Sequence, residues 1–83
     1  MTTTTTAAYR DLIDALSDAF GDYRAAVNHG ERLAHAGHVK QCARVLRLAS
    51  CPRASGRDRE RAEYWLDATA GRLIADGLHG RHA

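Results

Sequence analysis

Few side chains in this chain could do chemistry, and their spacing narrows what that chemistry could be. His35, His38 and Cys42 follow one another at i, i+3 and i+7, so one helix would present all three on a single side. His29 and Cys51 are the candidates for a fourth ligand, since tetrahedral zinc needs four. No Cys-x-x-Cys or His-x-x-x-His pair accompanies them, and Gly37 weakens the helix that would align the trio. The expectation is a solvated His pair beside a Cys packed as a small apolar residue, with no metal bound. No nucleophile motif and no phosphate-binding loop is present. No enzymatic activity, cofactor or small-molecule substrate is therefore expected.

The second candidate is a basic band. Between residues 38 and 61, Lys40, Arg44, Arg47, Arg53, Arg57, Arg59 and Arg61 stand against only Asp58 and Glu60. Residues 1–31 reverse the balance, with Arg10 and Arg24 against Asp11, Asp14, Asp18, Asp22 and Glu31. Arg57 and Arg59 fall near the start of a helix, where cations are disfavoured by roughly a few tenths of a kcal/mol. Helix amides together with Arg make an anion site, and a helix, a loop and an Arg-headed helix loosely outline a helix-turn-helix. Arg44, Arg47, Arg53, Arg57, Arg59 and Arg61 are thus the residues of a nucleic-acid reading. Three observations oppose it. Asp58 and Glu60 interleave with the arginines, and the loop from Cys51 to Gly56 is long for a tight turn. The isoelectric point, about 8.8, is also just under the level that flags a nucleic-acid binder. Arg outnumbers Lys 11 to 1 in an Ala- and Gly-rich chain, the coding bias of a GC-rich bacterium or its phage, so Arg is here the default cation.

Asp11, Asp14, Asp18 and Asp22 form an acidic ridge on one helix, with like charges four apart that repel. A straight helix cannot wrap such carboxylates around calcium or magnesium, so they read as solvated or as facing a basic surface. Tyr64 and Trp65 could anchor an interface, although Trp65 at helical spacing from Ala62 and Thr69 suits a core position equally well.

The elements that must carry these residues are helical. Tyr9, Ile13, Leu16, Phe20, Tyr23 and Val27 step by three and four, and the line can be continued through Gly30 to Ala34. This predicts a first helix from Ala7 to about Asn28, capped by Gly30, unless Gly21 is a turn. A second helix is predicted over residues 31–50, with Gly37 as an alternative start, and Pro52 beyond its end. Ser55 and Asp58 have capping-box spacing for a third, from about Arg57 to Asp76, with Gly77 as its C-terminal cap and Leu78 folding back. No segment alternates with a period of two, so no sheet is expected. Gly21-Asp22-Tyr23 with Ala26, Val27, Leu33 and Ala34 is similar to the second half of a tetratricopeptide motif. The leading half lacks the matching Trp, Leu and Gly, and no repeat follows, so the similarity implies no solenoid.

The fold class is therefore all-α: a small three-helix bundle or long helical hairpin, with dimerisation as a possible completion. Residues 1–6 are expected to be a disordered Thr tail, 7–78 a single domain and 79–83 a polar tail. Net charge is +2, and although 45 % of the chain is hydrophobic, 16 of its 83 residues are Ala. Large apolar side chains are scarce, and small scaffolds often recover burial by associating. The stripe Tyr9, Ile13, Leu16, Phe20, Tyr23 and Val27 is accordingly expected to be an interface with a protein partner or a second copy. The expected function is a non-enzymatic helical interaction module, with a small DNA-binding regulator as the alternative. No apolar run is long enough for a membrane span, residues 1–6 lack the features of an export signal, and both Cys are expected to be reduced thiols in a cytoplasm.

Overall fold

A computed structural model describes residues 3–79. Three helices follow in chain order, α1 Thr6–Ala25, α2 His29–Leu48 and α3 Gly56–Ala75. Each is 20 residues long, about 30 Å at 1.5 Å per residue. They form a three-helix bundle, elongated at 39 × 24 × 17 Å. Among the described residues there is no strand, only an isolated bridge between Thr3 and Ser50.

The helix starts follow from side-chain caps that satisfy otherwise orphaned amides. The Ala8 amide donates to Thr5 Oγ1 at 3.1 Å, the Glu31 amide to Asn28 Oδ1 at 2.8 Å and the Asp58 amide to Ser55 Oγ at 3.1 Å. Asn28 explains why the first two boundaries differ from expectation. It caps α2, with its Nδ2 also donating to Glu31 Oε2 at 2.7 Å. This ends α1 at Ala25 and places Gly30 in the first turn of α2 rather than at the end of α1. Gly21 and Gly37 lie inside unbroken helices. The tetratricopeptide similarity, which needs a turn at Gly21, thereby loses its basis. Helix α3 ends as expected: Gly77 has φ 73°, its amide donates to Ile74 O and the Leu78 amide to Leu73 O, a Schellman cap.

The described part of the N-terminal Thr run is tied to the first helix. Thr6 opens α1, Thr5 caps it, and the Thr4 amide donates to Ser50 O at 2.7 Å. Hydroxyl capping and one backbone hydrogen bond therefore fix the segment from Thr3 to Thr6 without a large apolar anchor. Met1 and Thr2 lie outside the described residues, as does the expected polar tail beyond His79.

The core is centred on α1. Ile13, Leu16, Ala19, Phe20 and Tyr23 are buried, against Ala36, Val39, Ala43 and Leu46 of α2 and Ala62, Thr69 and Leu73 of α3. Tyr9, Leu12, Trp65, Leu66 and Leu78 pack partly buried around them. Phe20 meets Trp65 edge-on at 6.1 Å and Tyr23 in a stack at 6.3 Å. Two ion pairs tie α1 to α3: Arg10 Nε to Asp58 Oδ2 and Arg61 Nη2 to Asp14 Oδ1, each 3.0 Å.

Two expectations follow from this packing. Leu16→Ala, at a fully buried site, should lower stability by about 3 kcal/mol in urea unfolding, and Leu16→Asp should abolish the cooperative transition. Gly37→Ala should raise stability by about 0.5–1 kcal/mol, because the added methyl meets no atom within 4 Å and removes backbone freedom from the unfolded chain. A destabilised Gly37→Ala protein would show that α2 is not a continuous helix at that point.

Candidate functional site

The stripe expected to meet a partner is largely interior. Ile13, Leu16, Phe20 and Tyr23 are buried within the chain and Tyr9 is half-buried. These positions are corrected from interface to core, because α2 and α3 supply the burial that a partner was expected to provide. Val27 stands apart at 84 % exposure. It lies in the link between α1 and α2, where the chain has left the helical register that the stripe assumed.

The apolar surface that remains open lies elsewhere. Leu33, Val45 and Leu48 of α2 are exposed, Leu48 at 71 %, as are Tyr64 and Ile74 of α3. Buried Ala36, Val39, Ala43 and Leu46 mark the inner side of α2. By helical spacing, Leu33, Gly37, Gln41, Arg44, Val45 and Leu48 fall on its outer side. That side carries one charge, Arg44, and from Arg32 to Arg57 the sequence has no carboxylate.

The basic band divides into residues with internal roles and residues facing water. Arg59 Nη2 donates to the carbonyls of Cys51 and Pro52 at 3.0 and 3.1 Å, holding the loop before α3. Arg61 pairs with Asp14 of the acidic ridge. Asp58, 4 % exposed, accepts from Arg10 and so cannot screen the band. Arg44, Arg47, Arg53 and Arg57 are exposed, as is Lys40, and none forms an ion pair among the described residues. Asp11, Asp18 and Asp22 are exposed on α1.

His35 is half-buried, His38 exposed and Cys42 half-buried on α2. Among the described residues, no three His, Cys, Asp or Glu groups are placed to hold an ion. Cys42 and Cys51 are free thiols, and burial pushes the Cys42 thiol above its ordinary pKa, away from the thiolate that a nucleophile requires.

A cluster that spacing does not reveal closes one end of the bundle. Tyr23 Oη donates to Asp76 Oδ2, which also accepts from Arg72 Nε at 3.0 Å. The Arg72 guanidinium lies 6.0 Å from the Tyr23 ring centre, and Arg32 Nη2 donates to Ala26 O at 3.5 Å. Tyr23 and Asp76 are 53 residues apart, and nothing local in the sequence signals such a pair.

The surface among the described residues includes two clefts. One, of about 110 Å³, lies between α2 and α3 and is lined by Lys40, Ala43, Arg47, Ala70, Leu73 and His79. The other, about 340 Å³, is formed by Thr3–Thr6 and Arg53. No helix among the described residues is long and apolar enough to cross a membrane. No family model, curated protein or solved structure matches this chain.

Burial, and then the bond to Asp76, push the Tyr23 phenol up to about 12. The bond from Tyr23 draws Asp76 below its ordinary value. An unfolded Tyr loses its proton near pH 10. The Tyr23 contribution to stability is therefore fully present below pH 10 and lost as pH rises towards about 12. The Asp76 contribution is present above the ordinary carboxylate range and lost as pH falls below it. Tyr23→Phe should cost about 1 kcal/mol at pH 7 and flatten the alkaline fall of the melting temperature. An alkaline slope equal to that of the wild type would remove this cluster from the stability of the fold.

Proposed function

We propose that this protein is a non-enzymatic helical interaction module that docks on a protein partner through the outer side of α2. The reading is carried by one observation. Leu33, Val45 and Leu48 are exposed on a helix whose buried side is already satisfied, and Arg44, which forms no ion pair among the described residues, stands among them. Apolar groups give a contact its affinity, and charges select the partner and its orientation. The partner this surface fits is an amphipathic helix with acidic flanks. A small cytoplasmic regulatory or accessory protein of a GC-rich bacterium or its phage is the setting that composition supports.

The second reading, nucleic-acid binding, is favoured by the exposure of Arg44, Arg47, Arg53 and Arg57. It is weakened by the internal bonds of Arg59 and Arg61, and by the apolar residues interleaved with the cations on α2. Self-association keeps the same surface but loses its original argument, since the α1 stripe is covered within one chain.

Affinity for a designed amphipathic peptide with Leu on one side and Glu along its flanks separates the readings. The peptide should bind saturably by fluorescence anisotropy and lose at least tenfold in affinity on Val45→Asp or Leu48→Asp. A 20-base-pair duplex should not shift in a gel at low salt. Duplex binding whose logarithm falls steeply with that of salt concentration, in a protein indifferent to the peptide, would transfer the function to nucleic acid.

A further inference from the structure

The cleft between α2 and α3 arises where both helices present small side chains. Ala43 faces Ala70, with Leu73 beside them, and the space left open is about 110 Å³. An apolar cavity of about 150 Å³ holds a benzene molecule, so the cleft seats an apolar group somewhat smaller than that ring. Its floor is apolar. Thr69 also lines it, but its hydroxyl donates to Trp65 O and Leu66 O and offers no free donor.

The rim has the opposite character. Lys40 and Arg47, two turns apart on α2, flank Ala43, and His79 lies at the rim after the α3 cap. Neither Lys40 nor Arg47 forms an ion pair, and no carboxylate lines the cleft, among the described residues. Two unpaired cations over an apolar floor call for an anion with a short apolar tail. A guanidinium binds a carboxylate through two parallel hydrogen bonds, and an ammonium adds a point charge. A phosphate or chloride ion would leave the floor uncovered, and a long acyl chain would run past it into solvent.

We propose that this cleft is a binding site for a short aliphatic monocarboxylate of about four carbons, its carboxylate between Lys40 and Arg47 and its tail on Ala43, Ala70 and Leu73. The site lies on the side of α2 facing α3, distinct from the outer side that carries Leu48, so the inference stands apart from partner docking.

The test is a titration of the full chain with sodium butyrate, followed by amide chemical shifts, against sodium chloride at equal ionic strength. The expected result is saturable shifts at Ala43, Ala70, Leu73 and His79 with a millimolar Kd, absent with chloride. Lys40→Gln and Arg47→Gln, at exposed positions that leave the core intact, should each weaken binding at least fivefold. Ala70→Leu should abolish it by filling the cleft. Leu48→Asp should leave it unchanged, which separates this site from the docking surface. Shifts that rise linearly without saturating, that appear equally with chloride, or that persist at the same affinity in Arg47→Gln would overturn the proposal.

Discussion

The fold depends on one scarcity: large apolar side chains are few, and those that are fully buried are concentrated in α1. Ile13, Leu16, Phe20 and Tyr23 are four of the largest buried side chains, whereas α2 and α3 face them with Ala, Val and Thr and one Leu each, Leu46 and Leu73. Burial of apolar surface is the dominant favourable term in folding, so both later helices pack around the first. The same scarcity shapes the surface. Where α2 and α3 meet away from α1, small residues face small residues and a cleft remains.

Polar contacts then determine where the helices begin and how they sit against one another. Thr5, Asn28 and Ser55 fix three helix starts. Arg10 compensates the buried Asp58 carboxylate, which would otherwise be costly beneath α1. Tyr23, Asp76 and Arg72 close the far end and join the end of α1 to the end of α3. These groups account for charges that appear functional when the chain is viewed as a string of residues. Arg59 and Arg61 belong to the architecture, and so does Asp14.

Helix α2 carries exposed aliphatic residues and Arg44 on its outer side, and an open cleft rimmed by Lys40 and Arg47 on the side facing α3. The exposed carboxylates of α1, Asp11, Asp18 and Asp22, lie on a different helix. The surplus of exposed carboxylates thus lies on α1, and the surplus of exposed cations on α2 and the loop after it.

The helices, their number and most of their ends were readable along the chain, because period and capping chemistry are local. Ser55 with Asp58 and the Gly77–Leu78 ending act over a few residues, and both formed as their spacing implied. Asn28 carries a capping signal that the apparent continuity of the apolar stripe masks, and the stripe therefore points to a turn later than the one that forms. Which apolar face becomes core and which stays open was not readable. A stripe such as Ile13–Leu16–Phe20–Tyr23 has the same period whether its own chain or another covers it. The exposure of Leu48, the Tyr23–Asp76 bond and the internal roles of Arg59 and Arg61 depend on helices distant in sequence arriving at the same place. Spacing along one helix records the direction of its side chains, whereas what those side chains meet is fixed by how the three helices pack.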